Sequence, residues 1–268
     1  VYKRQYVQNG VLLLRGSSCY NDFTGLKRLL PIKRREERQM QIDKNMIKAV
    51  IFDMDGVLFD TERLCKDAWA AAAEEAGLVN GPEDEKKLYD AVNHCIGLNG
   101  TDTKEYLCSV YGSSFSYEEL HGLCSRNMSQ MIERNGLPMK EGVRELLSYL
   151  KEAGYKIGLA SSSRRESIES HLNRAGISAY FESIISGDMV EHSKPEPDIY
   201  RIACASLSVE PENAIAIEDS PNGLKSAYRA GMYPVMVPDM IAPTEETDEL
   251  IGGRKFDSLI QVRDWMKE

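Results

Sequence analysis

Short apolar runs alternate with helical patterns through most of this chain. The five clearest runs are "KAVIF" (48–52), "KIGLA" (156–160), "SIIS" (183–186), "AIAIE" (214–218) and "YPVMV" (233–237). Because they are unbroken rather than alternating, they are typical of strands buried on both faces of a parallel sheet. Helical patterns separate the last four runs, near 164–175, 197–208 and 222–230. This order predicts an α/β protein with a doubly wound parallel sheet and a Rossmann-like core.

One connection between the predicted strands is much longer than the others. Between Asp60 and about Pro138 the chain has no strand pattern, and it shows helical patterns near 62–76, 84–93, 101–112 and 117–134. A crossover between parallel strands needs only about a dozen residues, so the extra length requires another explanation. We therefore predict an α/β core made of residues 46–60 and 139–268, with a helical cap domain inserted over residues 61–138.

The first 45 residues do not share this pattern. They show no sustained periodicity, and the run "KRREER" (33–38) is typical of a solvated surface. The stretch "GVLLLRG" (10–16) is too short for a signal peptide and is interrupted by Arg15. We predict that residues 1–45 are an extension outside the fold, either disordered or upstream read-through. A chain that starts at Met46 is then expected to fold.

Composition and charge exclude several classes of partner. The chain is 42% apolar and 28% charged, as in ordinary globular proteins, and its formal net charge of −9 argues against a nucleic-acid binder. No apolar run approaches the roughly 20 residues of a membrane helix. The six cysteines form no CxxC pair and no zinc spacing, which is typical of reduced thiols in a cytosolic protein. We expect a cytoplasmic protein without nucleic-acid or membrane partners, and a monomer because no apolar interaction stripe is evident.

Chemically active side chains follow the ends of four predicted strands. In chain order they are Asp53, Asp55 and Gly56 after the first strand, Ser161 after the second, Lys194 after the third, and Glu218 and Asp219 after the fourth. Each of them alone has an ordinary explanation as a turn, a helix cap or a surface charge. The carboxyl ends of parallel strands, however, meet at one edge of a sheet. Carboxylates, a hydroxyl and an ammonium group at one place suit a divalent cation and a phosphate.

Four motifs carry a resemblance to a known family, and they are "VIFDMDGVLFDTE", "GLASSS", "SKPEPDIY" and "AIEDSPNGLKSA". Together they resemble the haloacid dehalogenase-like hydrolases, in the branch with a helical cap inserted after the first motif. That branch includes β-phosphoglucomutase-like, phosphoglycolate phosphatase-like and pseudouridine-monophosphate phosphatase-like proteins. The resemblance covers about residues 47–267. It implies a Mg²⁺-dependent phosphatase that hydrolyses a small phosphomonoester, such as a sugar phosphate, through an aspartyl-phosphate intermediate.

The resemblance also implies roles for the residues that match its motifs. Asp53 would be the nucleophile, and Asp55 would act first as the general acid and then as the general base. Ser161 and Lys194 would bind the phosphate group during its transfer.

For the metal, the resemblance implies Mg²⁺ bound by the Asp53 carboxylate, the backbone carbonyl of Asp55 and Asp219, with Glu218 supporting the ion. The cap would select the substrate. The candidate substrate-binding residues are Gly56, Gly97, Asn99, Asp102, Ser162 and Arg164.

Two other functions remain open at this point. A phosphomutase of the β-phosphoglucomutase type would carry an arginine in the loop that corresponds to 97–102, where this chain reads "GLNGTD", and a histidine where it has Cys65. Both differences favour the phosphatase. A non-enzymatic phosphoacceptor, such as a receiver domain, would place its acceptor after the third strand and would lack the long helical insertion. A catalytically inactive binding protein is the remaining alternative, although every motif residue is present.

Overall fold

A five-stranded parallel sheet forms the centre of the computed structural model, which describes residues 42–95, 100–112 and 115–268. The strands are β1 (Ala49–Phe52), β2 (Lys156–Ser161), β3 (Ser183–Ser186), β4 (Ala214–Glu218) and β5 (Tyr233–Met236). Their order across the sheet is β3-β2-β1-β4-β5, and all neighbours are parallel. The chain thus winds outward from β1 in both directions, which confirms the predicted doubly wound sheet.

Helices lie in two groups among the described residues. The first four follow β1, and they are α1 (Thr61–Glu75), α2 (Pro82–Cys95), α3 (Gly100–Tyr111) and α4 (Tyr117–Asn135). The others are α5 (Val143–Glu152), α6 (Arg165–Ala175), α7 (Asp198–Ser206), α8 (Pro221–Ala230), α9 (Glu245–Ile251) and α10 (Leu259–Lys267). Short 3-10 turns occur at Lys44–Met46, Ser178–Tyr180, Gly187–Met189 and Pro211–Asn213.

The central strand is apolar throughout because both of its faces are covered. All four residues of β1 are buried. Val50 and Phe52 belong to one apolar cluster, whereas Ala49 and Ile51 belong to a second cluster. Successive side chains of a strand point to opposite faces, so the two clusters are the two layers between the sheet and its helices. This burial explains the unbroken apolar runs in the sequence.

Helices α1–α4, which we call the helical insertion, pack around an apolar cluster of their own. Its buried members include Trp69 of α1, Leu107 of α3 and Leu120 of α4. The chain enters and leaves the insertion at one place, where Phe59 forms an antiparallel bridge with Met139. Because the two connecting segments lie side by side, the insertion is joined to the sheet by a paired linker.

The helices of the insertion lie within two residues of their predicted positions, as do α6, α7 and α8. The pattern did not predict α5, α9 and α10, although α5 and α10 are as long as the predicted α8 and α7. Most of the predicted N-terminal extension, residues 1–41, lies outside the described residues. No helix within the described ranges has both the length and the apolar character that crossing a membrane requires.

Candidate active site

The register of the sheet brings the predicted acids and the lysine together at its carboxyl edge. Phe52 pairs with Leu159 of β2 and with Ile217 of β4, so the residues that follow them end level with one another. Lys194 reaches this edge from the segment before α7. Its Nζ donates hydrogen bonds to Asp53 Oδ1 at 2.6 Å, to Glu218 Oε1 at 2.7 Å and to the backbone oxygen of Ala160 at 3.1 Å.

The charges at this edge are buried and only partly balanced. Burial raises the pKa of Asp53 well above its usual range, and the Glu218 charge adds to the rise while Lys194 opposes it. Burial likewise raises the pKa of Asp219, and Glu218 and Asp53 raise it further. Burial alone would lower the pKa of Lys194, but Asp53 and Glu218 outweigh it and raise the pKa. One ammonium group therefore neutralises only part of the carboxylate charge.

Asp53, Glu218 and Asp219 form a candidate metal centre. Each offers one carboxylate oxygen, these oxygens lie within 4.8 Å of one another, and all three residues are buried. Three carboxylates less the one ammonium of Lys194 leave two formal negative charges, which a divalent cation would balance. Carboxylate oxygens are also the ligands that hard divalent cations prefer. The residues present therefore fit a bound divalent metal.

Two glycines leave room for the carboxylates of this centre. A Cβ atom on Gly223, in the first turn of α8, would lie 1.9 Å from Cδ of Glu218. A Cβ atom on Gly56 would lie 2.3 Å from Oδ2 of Asp219, and the φ of +79° at Gly56 is a second reason for glycine there. Gly56, a predicted substrate-binding residue, thus lies against a carboxylate of the candidate metal centre.

Hydroxyl groups surround the half-buried Asp55. Thr61 Oγ1 donates to Asp55 Oδ1 at 2.6 Å, and Ser163 Oγ donates to Asp55 Oδ2 at 2.8 Å. Ser161 Oγ makes a longer contact of 3.4 Å with Oδ2 and accepts the backbone N–H of Ser163 at 3.1 Å. Thr61 and Ser163 were not predicted, although both stand inside the quoted motifs. Their hydrogen bonds fix the orientation of the Asp55 carboxylate.

Glu62 is a further carboxylate at the site that the sequence did not reveal. It lies in the first turn of α1, where an acid is common for helix-capping reasons alone. Burial raises the pKa of Glu62 to about 7, and the charges of Asp55 and Asp239 add to the rise. The first turn of the helical insertion thus places a second acid beside Asp55.

We expect Glu62→Gln to stabilise the metal-free protein at high pH only. The folded-state pKa of about 7 exceeds the ordinary glutamate value of about 4.3, so ionisation of Glu62 opposes folding as the pH rises between them. Glutamine carries no such penalty. Because Glu62 is partly solvent-exposed, we expect a gain of roughly 2 kcal/mol above about pH 8 and none below about pH 4. Denaturant unfolding in EDTA at several pH values measures this gain.

The matched control for this substitution is Glu74→Gln, which changes an exposed glutamate on the same helix. Its unfolding free energy should follow the wild-type pH profile. An equal gain for Glu62→Gln at low and high pH would contradict the assignment of the penalty to ionisation.

The other predicted substrate-binding residues are either exposed or outside the described residues. Ser162, Arg164 and Asp102 are exposed, and Asp102 lies in the first turn of α3. Burial lowers the pKa of His121 on α4, and the Arg164 charge lowers it further, so Arg164 lies close to the helical insertion. Gly97 and Asn99 fall outside the described residues.

Asp53 follows the central parallel strand and lies beside Lys194, within a candidate metal centre and near hydroxyl groups. This arrangement is typical of an α/β enzyme that transfers phosphoryl groups. The comparison with family models agrees with this class. Residues 50–237 match the model for haloacid dehalogenase-like hydrolases, and the chain belongs to this family.

Relatives within the family include phosphatases. A phosphorylated carbohydrates phosphatase of Thermotoga maritima is 34% identical over 191 residues, which cover 69% of this chain and 82% of that protein. A β-phosphoglucomutase of Bacillus subtilis is 33% identical over 197 residues, covering 71% and 83%. The crystal structure of CbbY from Rhodobacter sphaeroides in complex with phosphate superposes with a TM-score of 0.67 at 26% identity, covering 81% of this chain and 96% of that chain.

These comparisons confirm the family resemblance, including the branch to which it was assigned. Family membership and the phosphatase relatives identify the chain as a phosphoric monoester hydrolase. The non-enzymatic alternatives, a phosphoacceptor and an inactive binding protein, are therefore set aside.

Proposed function

We propose that this chain is a Mg²⁺-dependent phosphatase that hydrolyses a small phosphomonoester, a sugar phosphate or similar metabolite, through an aspartyl-phosphate on Asp53. The observation that carries the proposal is the 2.6 Å contact between Lys194 Nζ and Asp53 Oδ1 within the buried acidic cluster. A carboxylate and a phosphate dianion repel each other, so attack on phosphorus requires fixed positive charge. The name of the carbohydrate phosphatase relative supports the sugar phosphate class.

The residues of the site account for both halves of the reaction. A carboxylate oxygen of Asp53 attacks phosphorus, and the bond from phosphorus to the ester oxygen breaks while Asp55 gives that oxygen a proton. Asp55 then takes a proton from the water that attacks the aspartyl-phosphate, which releases phosphate and restores Asp53. Ser161 and Lys194 bind oxygens of the transferred group. Mg²⁺ at the acidic cluster would neutralise phosphate charge when bound.

We also propose that the Asp53 carboxylate, the Asp55 carbonyl and Asp219 would hold the metal, with Glu218 supporting it. The 4.8 Å grouping of the three carboxylates supports this set. Oxygen ligands and a net charge of the opposite sign are what Mg²⁺ requires.

The helical insertion is proposed to be the cap, with residues 61–138 as the cap domain and 46–60 plus 139–268 as the catalytic core. The separate apolar cluster of the insertion and its paired linker support this division. Asp239, after β5, binds Lys140 of the returning linker at 2.8 Å and lies 3.6 Å from Arg63 of α1. A side chain of the core thus contacts the first helix of the insertion and the linker that returns from it. These are the segments about which a cap would move.

Substrate selection is proposed to involve both sides of the space between core and insertion. The closeness of Arg164 to His121 supports a role for the loop after β2. The residues proposed for substrate contact are Ser162 and Arg164 in the core, Asp102, Gly97 and Asn99 in the insertion, and Gly56 beside Asp219.

Phosphate release across a substrate panel tests the proposed function. The panel contains sugar phosphates, phosphoglycolate, nucleoside monophosphates and pseudouridine 5′-phosphate, each with Mg²⁺ and with EDTA. We expect release that requires Mg²⁺ and the highest kcat/KM among sugar phosphates. No release from any compound, together with interconversion of glucose 1-phosphate and glucose 6-phosphate, would instead establish the mutase alternative, which the β-phosphoglucomutase relative keeps open.

A further inference from the structure

Tyr200 contacts the acidic cluster from the helix layer beneath it. The side chain lies on α7, is fully buried, and donates its hydroxyl hydrogen to Glu218 Oε1 at 2.5 Å. Lys194 donates to the same oxygen at 2.7 Å, and its Nζ lies 5.2 Å from the centroid of the tyrosine ring. Burial raises the pKa of Tyr200 well above its usual value, and the Glu218 charge adds to the rise.

The other oxygen of Glu218 is also held. Ser220 Oγ makes a 3.2 Å contact with Oε2, and the missing side chain of Gly223 leaves the space in which the carboxylate lies. A glutamate side chain has three rotatable bonds, and its terminal one is especially free. Because both oxygens have partners, the carboxylate of Glu218 has a single orientation in this structure.

We propose that Tyr200 is a positioning residue, whose hydroxyl holds the Glu218 carboxylate in the orientation that supports both Lys194 and the metal. The inference rests on the Mg²⁺ site of the proposed function. Hydrogen-bond partners of metal-supporting carboxylates commonly change metal affinity by about 10- to 100-fold when they are removed. Tyr200 donates its hydroxyl hydrogen to Glu218, so we expect its effect on the metal to pass through that carboxylate.

Tyr200→Phe isolates the hydroxyl group, because phenylalanine keeps the ring and its packing in the apolar cluster around α7. Titration calorimetry of Mg²⁺ into the substrate-free protein should show affinity weakened by about tenfold. In steady-state assays the half-saturating Mg²⁺ concentration should rise by the same factor. At saturating Mg²⁺ the KM for the phosphate ester should stay within about twofold, and excess Mg²⁺ should restore most of kcat.

Tyr149→Phe is the matched control. The Tyr149 hydroxyl also donates one hydrogen bond, to the backbone oxygen of Met266 at 3.2 Å, but it joins α5 to α10 away from the acidic cluster. Both variants should lose similar thermal stability, whereas only Tyr200→Phe should weaken Mg²⁺ binding. Wild-type affinity in Tyr200→Phe would overturn the inference and leave the proposed function intact. Absence of Mg²⁺ binding by the wild-type protein would overturn both.

Discussion

Asp53→Asn is expected to lower the rate of phosphate release by at least about 10⁴-fold, as loss of a covalent nucleophile does in other enzymes. An amide oxygen carries no negative charge and cannot form the acyl phosphate that the reaction requires. Asparagine has the same shape and still accepts a hydrogen bond from Lys194, whose Nζ lies 2.6 Å from Asp53 Oδ1 in the wild-type protein. The fold should therefore persist.

The stability of this variant distinguishes loss of chemistry from loss of folding. Burial raises the pKa of Asp53, which means that its ionised form is disfavoured in the folded state. The neutral amide removes a carboxylate from a cluster with excess negative charge, so the metal-free variant should melt no lower than the wild-type protein. Phosphate release from the best substrate of the panel and a thermal melt in EDTA measure the two effects.

Asp67→Asn is a suitable control for Asp53→Asn, because Asp67 is an exposed aspartate on α1 and undergoes the same chemical change. It should retain wild-type rates. If release persisted in Asp53→Asn at the wild-type rate, another group would have to attack phosphorus, and the assignment of the nucleophile would be wrong.

The fold could be predicted because buried parallel strands leave a distinctive pattern. All five residues of "AIAIE" are buried in β4, and the unbroken apolar run that identified the strand is a direct consequence of cover on both faces. The helices α9 and α10 were missed, although α10 has nine residues, as many as the predicted α7. The predicted α7 and α8 each lie between two strand runs, which required a connecting helix, whereas α9 and α10 follow the last strand.

The rule that the carboxyl ends of parallel strands meet at one edge of a sheet located part of the site. Asp53 and Glu218 follow or end neighbouring strands, so their convergence could be expected from strand order alone. Tyr200 could not be found in this way, because its contact with Glu218 depends on how α7 packs beneath the sheet. Glu62 was equally hidden, since an acid in the first turn of a helix usually has a capping explanation. Glu62 and Tyr200 each end one of the quoted motifs, but the sequence did not show that either side chain contacts the site.

Gly223→Ala is expected to lower the phosphatase rate by about 10³-fold while leaving the fold intact. The new Cβ atom would lie within 2.0 Å of three atoms of the Glu218 side chain, so that carboxylate must move. Loss of carboxylate support weakens a metal site by about 10- to 100-fold, and a misplacement of about 1 Å at a catalytic group costs about 10²-fold. Both losses are expected in this variant, because Glu218 belongs to the candidate metal centre and also binds Lys194 at 2.7 Å.

Gly122→Ala provides the contrast that makes this test decisive. Gly122 is an exposed glycine within α4, and a Cβ atom there meets nothing within 4 Å. Alanine should stabilise that helix by about 1 kcal/mol and leave phosphate release unchanged.

The backbone at Gly223 also lies outside the left-handed region, so alanine there gains similar helix propensity. A variant that keeps its melting temperature, loses release and binds Mg²⁺ poorly would show that the carboxylate moved. Full activity in Gly223→Ala would mean that the reaction does not depend on the present position of the Glu218 carboxylate, because that position is incompatible with the new methyl group.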